Sequence, residues 1–318
     1  MQAVAVAAAL ATTALVAMPV RAQTTEPVKV GVIDTSVDRL ILGDKGVTVQ
    51  RRTFVAEGLE PGRWQGTVGS SHGEVVASSF VQQSRMIDKR VPIMVYSANA
   101  FYESGPRNSD GNRAMGIDFK GAEKALEWFH ENGVRTVVTA FYAKDSPQMR
   151  SFIEKAKEMD IVLFAGTNND KTKVVPFPAR DAYAIAVTGS NANLDFANNP
   201  EMAKWTAFKI NGDTPTNDML ATSENGSSFA VARAAAYGAH YVRMMPKATK
   251  DDVVLVMRQA AGTKKEGRVA DLDEGAVMKR FRSIAMSPVP TRLAKGPEGA
   301  VVAALDKGLL PGSEPGGR

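Results

Sequence analysis

Cysteine is absent from the chain, which removes disulfides, thiolate metal sites and a cysteine nucleophile from consideration. Histidine is nearly absent, with His72, His130 and His240 the whole supply, so any imidazole chemistry must use one of three positions. Aromatic residues make up only 7%, and no basic stripe interleaved with them and no zinc-ligand spacing is present. The 39 Lys and Arg outnumber the 34 Asp and Glu, but apart from some excess between Lys247 and Lys295 they are dispersed. A solvated basic face is expected from that pattern, and no nucleic-acid partner. With 318 residues, 44% of them apolar, the chain can bury a large core without staples.

One long apolar run stands apart. Residues 1–22, "MQAVAVAAALATTALVAMPVRA", end in Val20-Arg21-Ala22 with small residues at the minus three and minus one positions, the pattern of a secretory signal peptide cleaved before Gln23. Ala and Thr dominate it and its apolar part is barely long enough to span, which suits a signal better than a membrane span, although the absence of Lys or Arg before the run departs from the signal pattern. Export to the periplasm or medium is expected, with no membrane association beyond a retained signal anchor. No further transmembrane candidate follows.

From residue 28 onward, short β-branched runs alternate with helical patterns. "VKVGVID" (28–34), "VPIMVYSA" (91–98), "VRTVVTAF" (134–141), "DIVLFAG" (160–166) and "AYAIAVTG" (182–189) predict parallel strands buried on both faces. Between them, 121–133 and 146–160 carry apolar residues at three- and four-residue spacing and predict crossover helices, as do the residues after Ser228 and 249–262. The fold class expected is α/β with a mostly parallel central sheet flanked by helices. No internal repeat or linker divides residues 23–300, and 301–318, ending "LLPGSEPGGR", predict a flexible tail.

Open parallel sheets place their sites at the carboxyl ends of strands, and three polar residues fall there or nearby. Asp34 ends the first strand; by itself it would pass for a turn former. His72 lies in "GSSHGEVVASSF", and an isolated loop histidine is commonly surface polarity. Ser228, in "NGSSFAVARAAA", precedes a run of small residues suited to a tightly packed core helix. There Ser227 or Ser228 could simply cap the helix, but the same helix end also stabilises developing negative charge. Acyl transfer needs a hydroxyl, an imidazole to take its proton and a carboxylate to orient the imidazole, and the order Asp, His, Ser is one that builds such a triad.

These three segments resemble those of the subtilisin-like serine peptidases, and the resemblance spans roughly residues 28–275. "VKVGVIDTSVD" is similar to the family's strand ending in Asp-[Ser/Thr]-Gly, with Ser36 in place of the glycine. "SSHGEVVAS" resembles Ser-His-Gly-Thr-His-Val-Ala-Gly, with Glu74 and Val75 where Thr and His usually stand. "NGSSFAVA" looks like Asn-Gly-Thr-Ser-Met-Ala-x-Pro, with Ala232 at the proline position. The resemblance implies a three-layer subtilisin-like fold over 23–300 and a serine endopeptidase in which Ser228 is the nucleophile, His72 the base and Asp34 its orienting carboxylate.

Further implications attach to the segments between. "DIVLFAGTNND" resembles the strand and loop carrying the oxyanion asparagine, usually Ala-Gly-Asn. Here Thr167 intervenes, so either Asn168, favoured by the continuing "NND", or Thr167 is the side-chain donor. "VVTAFYA" falls where the family has Asn-Met-Ser-Leu-Gly, so Phe141 and Ala143 replace pocket-lining Ser and Gly and no cleavage preference is assigned. Only a few residues separate Gln23 from the first strand, so no inhibitory pro-domain is expected there. The expected partner is a protein or peptide substrate, and no cofactor is required. Structural calcium is frequent in such enzymes, but "NSDGNRAMGIDF" lacks the glycine and terminal glutamate of an EF-hand, and no metal site is assigned. The altered pocket strand and oxyanion loop also suit a catalytically weakened peptide binder. A periplasmic ligand-binding protein is the remaining alternative; it would need two hinged lobes, which the sequence does not suggest.

Overall fold

The computed structural model describes residues 26–41, 43, 45–63, 70–107, 113–167, 175–189, 208–210, 226–260, 275–277, 279 and 280. The expected signal peptide, Asn168 and the expected C-terminal tail lie outside them.

Seven strands form one sheet in which every pairing is parallel. They are β1 (Val28–Asp34), β2 (Val47–Thr53), β3 (Ile93–Asn99), β6 (Thr136–Thr139), β7 (Val162–Gly166), β8 (Ile185–Gly189) and β9 (Phe208–Ile210), in the order β2-β3-β1-β6-β7-β8-β9. A separate antiparallel hairpin joins β4 (Phe101–Arg107) to β5 (Arg113–Ile117). Its second strand takes up part of the segment considered above for calcium.

Strand residues alternate between two helix layers. Val28, Val30 and Val32 of β1 face α1 (His72–Ile87), α4 (Ser227–Met244) and α5 (Lys250–Ala260), together with Phe80, Val231, Ala235 and Val253. Ile33 turns to the opposite face, where Leu126 and Phe129 of α2 (Phe119–Glu131) and Phe152 of α3 (Pro147–Glu158) pack. With both faces covered, the central strands read as continuous apolar runs, which is why the sequence exposes them. The inner positions of α4 are alanine and glycine, which permits a close approach to the sheet. Gly238 sits so close that a Cβ there would lie 2.6 Å from the Phe164 ring.

Strand order sets the location of the crevice. From β1 the chain builds β2 and β3 on one side, then crosses to add β6 to β9 on the other. The two halves of the sheet are wound in opposite directions from β1, so the carboxyl ends of β1 and β6 flank a switch point, where parallel sheets bind ligands.

Candidate active site

Asp34 is the last residue of β1 and is 2% exposed. Burying a carboxylate requires compensation, which the Thr35 backbone N–H supplies at 2.7 Å and the Thr35 hydroxyl at 3.2 Å. Those bonds use Oδ1 and hold the carboxylate plane facing α1.

His72 is the first residue of α1, and its imidazole Nδ1 lies 2.9 Å from Oδ1 and 2.8 Å from Oδ2 of Asp34. A carboxylate can only accept, so Nδ1 carries the proton and donates, leaving Nε2 as the acceptor on the outer edge of the ring. Helix α1 starts here because Ser71 is its N-cap and Glu74 completes a capping box: the Ser71 hydroxyl accepts from the Glu74 N–H at 3.1 Å, and Glu74 accepts from the Ser71 N–H at 3.0 Å. Gly73 permits the helix to approach the strand end. Its N–H donates to the Thr35 hydroxyl at 3.0 Å, and a Cβ on it would lie 2.2 Å from the Thr35 carbonyl oxygen.

Ser228 is the second residue of α4, and neither serine of the Ser227-Ser228 pair caps the helix. Gly226 takes the N-cap with φ 175° and no side-chain bond, which corrects the capping expectation for Ser227 and Ser228. With Gly226 at the N-cap no side chain caps α4, and the Gly226 carbonyl accepts from the Phe229 and Ala230 N–H groups at 3.3 and 3.2 Å. The Ser228 hydroxyl donates to the Ala140 carbonyl, one residue beyond β6, at 3.3 Å. The Phe229 ring packs against the His72 ring, centroids 5.9 Å apart, which brings the amino end of α4 beside the imidazole.

The structure therefore gathers Asp34, His72 and the amino end of α4 at the switch point, with Asp34 and His72 in direct contact. Of the two oxyanion candidates, Thr167 is fully buried just past β7, its N–H donating to the Val187 carbonyl at 3.0 Å and its hydroxyl without a hydrogen-bond partner among the described residues. Phe141 is buried between Phe101 and Phe152, at centroid distances of 5.5 and 6.3 Å. Ala143 lies beyond β6 and forms an isolated antiparallel bridge to Phe177, its N–H donating to the Phe177 carbonyl at 2.9 Å. Among the described residues no three His, Asp or Glu side chains gather as a metal-ligand cluster, and no helix is long and apolar enough to cross a membrane.

Sequence reasoning treated Thr35 and Glu74 as mere motif members and did not find the Ala140 carbonyl. The Ser-x-x-Glu spacing of Ser71 to Glu74 was the available signal for the capping box; nothing in the sequence marks a main-chain carbonyl as a partner of Ser228.

No family model matches the chain, and no curated protein does. Solved structures similar in fold include two proteases. The prenylagaramide maturation protease PagA superposes with a TM-score of 0.54 at 15% identity, over 81% of this chain and 95% of that one. A cold-adapted subtilisin-like serine proteinase gives a TM-score of 0.53 at 14% identity, over 77% of this chain and 87% of that one. With its parallel sheet, flanking helix layers and these neighbours, the chain has a divergent subtilisin-like fold.

Proposed function

We propose that the protein is a serine endopeptidase with Asp34, His72 and Ser228 as its catalytic triad. The observation that carries this reading is the Asp34 carboxylate at 2.8 Å from His72 Nδ1, on an imidazole packed beside the helix end that bears Ser228. His72 Nε2 takes the proton of the Ser228 hydroxyl as Oγ bonds to the peptide carbonyl carbon. Asp34 stabilises the imidazolium, which then gives the proton to the departing amine as the carbon–nitrogen bond breaks. Water, deprotonated by the same imidazole, releases the acyl group from Oγ. The Ser228 N–H, at the positive end of α4, holds the oxyanion together with Asn168 or Thr167. Attack requires the hydroxyl to leave the Ala140 carbonyl for His72 Nε2.

Labelling by a fluorophosphonate probe tests the reading. Wild-type protein from Gln23 onward is expected to be labelled covalently, and Ser228→Ala is not. A folded wild type that resists the probe overturns it. One observation favours a second reading, a peptide binder that does not turn its ligand over: the Ser228 hydroxyl is bonded to Ala140 and Phe141 fills space where the family has a small polar residue. A two-lobed ligand-binding protein needs a second sheet of comparable size, whereas the described residues hold one large sheet and one hairpin. The proposal extends to export, with cleavage before Gln23, which the mass of the mature protein recovered from a periplasmic fraction would show.

A further inference from the structure

Glu74 is the departure from the family motif nearest to His72, and it is 4% exposed. A capping box needs one of its oxygens, Oε2, for the Ser71 N–H at 3.0 Å. The second oxygen does something a cap does not require. Oε1 accepts from the Arg39 backbone N–H at 3.0 Å, across 35 residues of sequence.

Arg39 belongs to the segment that leaves β1 directly after Asp34, and that segment is stitched to α1 at several points. The Gly73 N–H donates to the Thr35 hydroxyl at 3.0 Å, the Ser71 hydroxyl donates to the Ser36 carbonyl, and the Ile41 N–H donates to the Ser78 hydroxyl at 3.0 Å. Of these groups only Glu74 bears a carboxylate, and hydrogen bonds to such a group are about twice as strong as neutral ones. Without Glu74 the Arg39 and Ser71 N–H groups lose their acceptor together.

We propose that Glu74 is a positioning residue: its two oxygens clamp the segment following Asp34 to the first turn of the helix that begins with His72, and so hold the carboxylate against the imidazole. The catalytic consequence rests on the triad reading above, but the geometric one does not, and the test separates them.

The protein from Gln23 onward is prepared as wild type, Glu74→Ala, Glu74→Gln and Ser228→Ala. Two readouts are taken on each: the fluorophosphonate inactivation rate as a function of probe concentration, and the proton NMR resonance of the His72 Nδ1–H, which lies far downfield while bonded to a carboxylate. The Glu74→Ala variant is expected to lose about 30- to 100-fold in maximal inactivation rate with little change in half-saturating probe concentration, the size of effect a displacement of about 1 Å produces. Its downfield resonance is expected to vanish through exchange while circular dichroism stays native. Glu74→Gln keeps one acceptor oxygen and is expected to fall between the two, a partial rescue that loss of packing alone does not give. It also decides the matter should the alanine variant not fold.

Wild-type rate and an intact resonance in the glutamine and alanine variants overturn the proposal. If the wild type resists the probe, the peptidase reading fails and the resonance decides alone. Its presence in wild type and Ser228→Ala with loss in Glu74→Ala supports the clamp; its persistence in Glu74→Ala overturns it.

Discussion

At the scale of single residues, the candidate site depends on very few atoms. Gly73 is the clearest case, because any Cβ there meets the Thr35 carbonyl at 2.2 Å and backbone cannot step aside as a flexible side chain would. Gly73→Ala is expected to push α1 off the end of β1, costing about 1–3 kcal/mol in urea unfolding. Fluorophosphonate labelling is expected to slow far more than that destabilisation accounts for, since the Asp34–His72 contact opens. A variant that labels at the wild-type rate would refute the close approach. Asp34→Asn tests the tautomer argument. The amide preserves size yet can offer its NH₂ to the imidazole, and reactivity of Ser228 is expected to fall by about 10⁴-fold with little change in stability. Ser36 and Glu74, read from the sequence only as departures from a motif, turn out to have partners. The Ser36 hydroxyl donates to Asp38 at 2.5 Å, and Glu74 ties two elements together. The role of Glu74 was illegible because its partners are backbone groups whose placement depends on packing.

At the scale of elements, α4 and α1 form the layer that presents Ser228 and His72, and their shared interface is polar in places. Gln83 of α1 donates to the Tyr237 hydroxyl of α4 at 2.7 Å. His240, 4% exposed on α4, has Nε2 buried without a hydrogen-bond partner among the described residues. Burial, and secondarily the nearby Arg243, push its pKa down to about 3, against smaller opposing contributions from Asp88 and a hydrogen bond to the Ser84 backbone. The unfolded chain takes up this proton near pH 6.5, while the folded protein resists it until about pH 3. Stability is therefore complete above pH 6.5 and declines as pH falls below it, by up to about 1.4 kcal/mol per unit. Urea midpoints measured between pH 7 and pH 5 are expected to fall more steeply for wild type than for His240→Gln; equal slopes would remove His240 as the cause. Gly238 gives a second prediction at this scale. Gly238→Ala gains about 1 kcal/mol of helix propensity but sets a methyl 2.6 Å from the Phe164 ring, and overpacking of about 1–3 kcal/mol outweighs the gain. A lowered melting temperature is expected. At this scale β1, β3, β6, β7 and β8 were legible, because strands buried on both faces show as unbroken apolar runs. The edge strand β2, "VTVQRRT", was not: half exposed and rich in arginine, it has no such run, and only pairing with β3 makes it a strand.

At the scale of the whole molecule, Asp34 and Ser228 are far apart in the chain and come to the same end of the sheet only because the sheet changes winding direction at β1. Contacts of such sequence separation form late and slowly, and they are lost together with the sheet. Loss of fluorophosphonate labelling and loss of far-ultraviolet circular dichroism are accordingly expected to coincide along a urea titration; labelling that disappears well before the secondary structure would mean that the site opens independently of the fold. The sequence by itself determined the alternation of strand and helix, the chain order of Asp34, His72 and Ser228 and the small-residue face of α4, because these follow from local periodicity and residue type. Only the tertiary structure decided that Asp34 and His72 meet at 2.8 Å, that Gly226 rather than a serine caps α4, and that Glu74 bridges to Arg39. Hydrogen bonds act over a few tenths of an ångström, a precision that residue type cannot encode and that the packing of α1 and α4 onto one sheet supplies.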